Sequence, residues 1–294
     1  MQARGANVAV VGHVEWVQFA RVERVPRAGE VVHASDPFEE PAGGGAVAAV
    51  QLARLAGRAL LVTALGEDDL GRRSVDRLGE LGVEVRAAFV AAPTRRALTL
   101  LDEQGERTIT TLGERLDPPD ELVEETFASD GGFDGGFDGG FDGGFDGVYF
   151  TAGDVRALRA VRAATRVLSA SPRALHALGR GVRLDALILS ARDELEREWA
   201  RSSEQDAEVV VMTEGAAGGS YHRRSGASGR WQGVPPPGPV LDNYGCGDSF
   251  AAGLTFALAS GAPIAAALEL AARCGASCAS GRGPYGRQLQ AQDL

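Results

Sequence analysis

The segment Leu241-Asp-Asn-Tyr-Gly-Cys-Gly-Asp-Ser-Phe-Ala-Ala-Gly-Leu254 runs from a glycine-flanked turn straight into an apolar helix. Backbone N–H groups of Gly245, Cys246 and Gly247 would face outward at the positive end of that helix, a setting suited to a phosphate. Asp248 stands at its mouth, where a carboxylate can take the proton of an attacking hydroxyl during phosphoryl transfer. Aspartate is equally a favoured helix cap, and the segment alone leaves both roles open. A second glycine turn, Thr213-Glu-Gly-Ala-Ala-Gly-Gly219, follows a β-branched run. Its glycines would let backbone approach a nucleotide, although such turns also merely join strands. A third cluster, Gly43 to Gly45, opens an alanine-rich helical stretch that ends at Gly57.

Taken in order, these pieces resemble the ribokinase-like (PfkB) family of sugar and nucleoside kinases. The family's C-terminal signature, Asp-Thr-x-Gly-Ala-Gly-Asp, is similar to Asp242-Asn-Tyr-Gly-Cys-Gly-Asp248, with Asn243 for threonine and Cys246 for alanine. Its N-terminal signature is similar to Gly43 through Gly57, followed by Gly66-Glu-Asp-Asp-Leu-Gly71. The resemblance implies an ATP-dependent kinase acting on a hydroxyl of a sugar or sugar-like acceptor, with Mg2+ bridging the phosphates. It makes Asp248 the base, Gly245, Cys246 and Gly247 the anion hole, and Thr213, Gly215 and Gly218 the nucleotide turn.

Departures from the pattern matter as much. The family's Asn-x-x-Glu motif, which organises magnesium and its water, aligns with Ser190-Ala-Arg-Asp193. Ser190 then faces the nucleotide, and Asp193 could still order metal-bound water, since magnesium keeps several waters and takes few carboxylates; both also read as a plain helix start. Of the usual acceptor-binding groups, one falls on Val17 and another on Ala48. Glu15, with the N–H groups of Gly44 and Gly45, is the remaining candidate for reading hydroxyls, and Trp16 reads as packing or as a stacking platform. Asp242 and Ser280 to Gly283 correspond to a loop that holds K+ in some relatives. The alternatives to a sugar kinase are a nucleoside kinase of the same fold and a non-catalytic sugar or nucleotide sensor.

Something must position these groups. Short β-branched runs at Asn7 to Val11, Ala59 to Ala64, Gly147 to Thr151, Arg166 to Ala170, Ala186 to Leu189 and Glu208 to Thr213 alternate with helical segments. These include Ala46 to Leu55, Asp69 to Leu81, Arg173 to Gly179, Arg192 to Arg201, Ser249 to Ser260 and Pro263 to Ser280. That rhythm predicts an α/β fold with a doubly wound, mainly parallel sheet, which binds ligands at the C-terminal ends of its strands. Segments near 13–42 and 94–112 break the rhythm, and a hairpin around Asp102 to Gly105 suggests that they form one small antiparallel lid, a surface on which two chains could pair as a homodimer. Asp-Gly-Gly-Phe runs four times from Asp130, and 130–146 reads as a low-complexity insertion within one kinase domain.

Composition narrows the chemistry further. The 294 residues carry 30 basic and 40 acidic groups, and every basic one is arginine. Without lysine, a Walker A site, a protein-kinase site and pyridoxal or Schiff-base chemistry are excluded in their usual form. A net charge of −10 argues against nucleic acid, and no apolar run approaches a membrane span. Cys246, Cys274 and Cys278 form no paired framework, so a reducing, cytoplasmic setting is expected. Cys274 and Cys278 share a helix face and read as core, whereas Cys246, at a helix start, is the thiol expected to be reactive. The four histidines form no ligand spacing.

Overall fold

A computed structural model describes residues 6–103, 105–128, 144–194, 196–198 and 206–294. The chain begins with β1 (Val8–Val11), β2 (Glu15–Arg21), β3 (Ser35–Ala42), α1 (Gly44–Ala56), β4 (Ala59–Gly66) and α2 (Asp69–Glu80). It continues through β5 (Val83–Val90), β6 (Arg96–Leu101), β7 (Arg107–Leu112), α3 (Asp120–Phe127), β8 (Phe145–Phe150), α4 (Val155–Ala164) and β9 (Thr165–Ala170). Then come β10 (Leu184–Ser190), β11 (Ala207–Thr213), β12 (Gly218–Arg223), β13 (Ser228–Gln232), α5 (Cys246–Ala259) and α6 (Ile264–Ala279).

Nine strands form the main sheet in the order β13-β12-β11-β10-β9-β8-β1-β4-β5. From β11 to β5 every pairing is parallel; β12 and β13 add an antiparallel end. All four residues of β1 and all eight of β4 are buried, as central strands covered on both faces must be. Alternation splits them: Val8 and Val10 pack with α1, α5 and α6, whereas Ala9 and Val11 pack with α3 and α4. Helix α1 is buried on nearly every side, which its small alanines permit. Asp68 caps α2 by accepting from the Gly71 N–H at 2.8 Å and also ties down Thr94, whose N–H donates at 2.8 Å.

The lid is a separate four-stranded sheet in the order β3-β2-β6-β7. It is mostly antiparallel, but β2 and β6 run parallel because the chain crosses the main sheet between them. Residues 22–34 carry no strand; the lid strands of this region are β2 and β3, which flank that loop. Two further expectations are corrected. Arg173 to Gly179 is not a helix: Pro172 opens one 3-10 turn, Pro172–Ala174, followed by irregular turns. The low-complexity reading of 130–146 falls mainly outside the described residues, but its end belongs to β8, where Phe145 is buried against Phe127 with ring centroids 4.9 Å apart.

Candidate active site

The C-terminal ends of β1, β9, β10 and β11 and the N-termini of α1 and α5 gather most of the expected residues. Glycine makes the approach of α1 possible. A Cβ on Gly45 would lie 2.7 Å from both the Gly12 carbonyl carbon and the His13 oxygen, so the helix start packs backbone on backbone against the end of β1. The Gly45 N–H donates to the His13 carbonyl at 3.2 Å, and the Gly43 N–H donates to the Tyr244 hydroxyl at 3.2 Å. Tyr244 in turn donates its N–H to Asp242 Oδ1 at 2.7 Å, while Asp242 Oδ2 accepts from the Gly283 N–H at 3.1 Å. Asp242 is 1% exposed, and burial raises its pKa against the pull of those two N–H groups.

Helix α5 starts on Gly245 in the left-handed conformation (φ 79°) with no side-chain cap, so its first-turn N–H groups are free of capping side chains. Asp248 lies inside that first turn and does not cap the helix, which removes the competing role its sequence left open. Its Oδ1 is 3.0 Å from where a Gly44 Cβ would stand; Arg173 Cδ and His13 Cε1 are each 3.5 Å from that point. The two glycine-led helix starts therefore face one small volume, with the carboxylate between them. Around Gly247 a Cβ would meet open space.

Glu15 is 6% exposed and its Cγ lies 3.3 Å from the Gly43 Cβ position. Burial raises its pKa, opposed by Arg95 and Arg173; the Arg95 Nε stands 3.5 Å from Glu15 Oε2. Burial, with Arg173, Arg115 and Arg95 nearby, holds the His13 pKa well below its ordinary value, so the imidazole is neutral. Trp16 does not face this volume as a free platform. Its Nε1 donates to Glu39 Oε2 at 2.9 Å and Arg73 stacks 4.3 Å from its ring, so it packs the outer lid.

Ser190 and Thr213 are register partners at the ends of β10 and β11. Gly215 (φ 65°) and Gly218 (φ 95°) shape the tight turn that follows, and a Cβ on Gly218 would lie 2.3 Å from the Trp231 carbonyl oxygen. Asp193 is exposed and accepts the Glu196 N–H at 3.1 Å, so its carboxylate serves its own turn. Glu196 is the residue that folds inward: its Oε2 accepts from the Ser190 N–H at 2.8 Å. Burial raises its pKa, and the charges of Arg173, Asp193 and Asp248 all reach it. Arg173 and Glu196 are the two site residues that sequence reasoning missed. Cys246 also departs from expectation: a hydrogen bond with Cys278, together with burial, pushes its thiol well above the ordinary value.

Among the described residues no three His, Cys, Asp or Glu side chains cluster as a metal cage, and no helix is long and apolar enough to cross a membrane. A cavity of about 610 Å³, bordered by Arg54, Arg273, Arg287 and Gln288, opens between α6 and the C-terminal segment; none of the residues above lines it.

This architecture, with a nine-stranded sheet, a four-stranded lid and an uncapped glycine-led helix at their junction, has counterparts. The profile described as pfkB family carbohydrate kinase matches residues 6–125 and 184–290, and the chain belongs to that family. A ribokinase from Dictyostelium discoideum is 28% identical over 109 residues, 36% of this chain and 34% of that protein. An acarbose 7(IV)-phosphotransferase from Actinoplanes sp. is 39% identical over 71 residues, 24% of each chain. Sequence alignment thus spans about a third or less of these curated relatives. The Arabidopsis thaliana ribokinase complexed with ribose and ATP superposes over 98% of this chain and 97% of its own with a TM-score of 0.72 at 19% identity, which speaks for the fold.

Proposed function

We propose that this chain is an ATP-dependent kinase that phosphorylates a hydroxyl of a sugar or sugar-like acceptor. The observation that carries this reading is the placement of Asp248, uncommitted to capping, between the uncapped start of α5 and Gly44. In this reading Asp248 takes the hydroxyl proton, and the N–H groups of Gly245, Cys246 and Gly247 receive the charge that builds on the phosphoryl oxygens. Glu15, braced by Arg95, reads acceptor hydroxyls together with the α1 start at Gly44; the Gly45 N–H expected beside it is instead taken by the His13 carbonyl. Thr213, Gly215, Gly218 and Ser190 form the nucleotide side.

The donor set suits Mg2+ held mainly by phosphates and water, since magnesium accepts a single carboxylate and several waters. We assign that carboxylate to Glu196 ahead of Asp193, because Glu196 alone of the two turns toward Asp248 and Arg173. When bound, the ion supplies charge neutralisation along the phosphates. The buried Asp242 carboxylate, with the 280–283 turn, has the chemistry for K+, which would offset its burial. Exposed Leu98, Ile109 and Leu112 on the lid are the surface through which we expect two chains to pair, checked by sedimentation. The test of the activity is ADP release from ATP and Mg2+ across a panel of sugars, sugar phosphates and nucleosides. Turnover with nucleosides alone, or with none of the panel, would overturn it.

A further inference from the structure

Arg173 stands at the centre of the site, is exposed to solvent, and among the described residues its guanidinium has no hydrogen-bond or ion-pair partner. Its backbone is nonetheless held, because Arg115 Nη1 donates to the Arg173 carbonyl at 2.8 Å. Arg115 itself is committed to Asp117, with contacts of 2.7 and 2.9 Å. The other cations nearby are also engaged. Arg95 sits beside Glu15 at 3.5 Å, and Arg107 donates to the Asn243 carbonyl at 2.9 Å. With no lysine in the chain, Arg173 is the uncommitted cation next to Asp248.

Its location relative to both substrates is specific. The Arg173 stem and Asp248 Oδ1 converge on the same point above Gly44, at 3.5 and 3.0 Å. The charge of Arg173 is felt by His13 and Glu15 toward the acceptor and by Glu196 toward the nucleotide, and the Asp248 carboxylate is the largest electrostatic influence on Arg173 itself. A group that reaches both ends and the base between them occupies the place through which a phosphoryl group would pass.

We propose that Arg173 is a catalytic residue whose guanidinium binds the γ-phosphoryl group in flight, opposite the N–H groups of Gly245 to Gly247. This rests on the kinase reading given above. The acceptor oxygen forms its bond to the γ-phosphorus while the bond from phosphorus to the β,γ-bridging oxygen breaks. The electron pair of that bond stays with ADP, the hydroxyl proton passes to Asp248, and Arg173 donates N–H bonds to the non-bridging oxygens without losing a proton. A planar, bidentate donor suits three oxygens whose charge is spreading, and it would act on the transition state more than on bound ATP.

The test compares the full chain with Arg173→Gln and Arg173→Lys in calorimetric titrations with ADP and Mg2+, with and without aluminium fluoride as a planar phosphoryl mimic. Wild type should bind the fluoride complex far more tightly than ADP. Arg173→Gln should keep its ADP affinity and melting temperature yet lose about 10²- to 10³-fold of that gain, the scale of removing one transition-state donor. Arg173→Lys, which keeps charge without the fork, should recover only part. An undiminished fluoride gain in Arg173→Gln would overturn the proposal, as would an equal loss of ADP affinity, which would make Arg173 a ground-state nucleotide ligand. Wild type that binds no ADP would instead overturn the kinase reading itself.

Discussion

Helices α1 and α5 both start in glycine, at Gly43 (φ 89°) and Gly245 (φ 79°), and neither has a side-chain cap. In α1 the glycine two residues past the start is consumed by packing: Gly45 touches Gly12 and His13, and its N–H is bonded to the His13 carbonyl. In α5 the glycine inside the first turn, Gly247, faces open space. The same residue type at equivalent places thus does opposite work, closing one helix onto the sheet and leaving the other open, which suits the proposed anion hole. Burial beyond the cap, and not the glycines themselves, decides which.

The largest effect should come from Asp248→Asn, which keeps the shape of the α5 mouth and removes the proton acceptor. Turnover should fall by about 10²- to 10⁴-fold with ADP affinity retained, measured by ADP release and calorimetry. Gly45→Ala should destabilise the fold by roughly 1–3 kcal/mol, because its Cβ would be forced against backbone that cannot yield, and thermal melting reads this directly. Gly247→Ala should leave the melting temperature nearly unchanged and lower turnover about tenfold, because its added methyl stands in the open space where the phosphoryl group would enter and displaces it from one charge-assisted hydrogen bond. Equal behaviour of these two alanines would erase the contrast between the helix starts.

Glu15→Gln tests the α1 side more finely. It should raise the acceptor KM about tenfold while the KM for ATP holds steady. Burial raises the Glu15 carboxyl above 4.5, so the native chain holds that proton more tightly than the unfolded one. Native stability therefore declines as pH climbs from the ordinary value through the raised one. Glu15→Gln removes that cost, and its melting temperature should exceed wild type near pH 7.5 but not near pH 4. The smallest effect is expected from Cys246→Ala, with turnover within about twofold. The wild-type thiol should react slowly with iodoacetamide at pH 7.5, since its raised pKa leaves little thiolate.

The central sheet was legible because β1, β4, β8, β10 and β11 are buried runs of β-branched and apolar residues. Strand β5 was not, since Glu84 and Arg86 interrupt Val83, Val85 and Ala87 at a half-buried sheet edge. Strands β12 and β13 hid in Gly218, Gly219 and the polar run that follows, where pairing depends on partners far more than on propensity. The glycine-led start of α5 with Asp248 in its first turn was legible because the family signature fixes those residues at that spacing. Glu196 could not, because the motif spacing pointed to Asp193 and only the folded turn shows which carboxylate bends back to Ser190. Arg173 was obscured by a helical pattern that in the fold goes no further than the single turn Pro172–Ala174.

The lid hairpin reaches across to the segment that leads into α5. The Asn243 N–H donates to the Gly105 carbonyl at 3.2 Å, and Arg107 Nη1 donates back to the Asn243 carbonyl at 2.9 Å. Asn243 lies two residues before Gly245, so the lid hairpin and the start of α5, the proposed acceptor cover and phosphate cradle, are geared together. Swinging the hairpin outward must either break both bonds or drag the cradle with it. If the chain is the proposed kinase, departure of one product is mechanically tied to loosening the grip on the other.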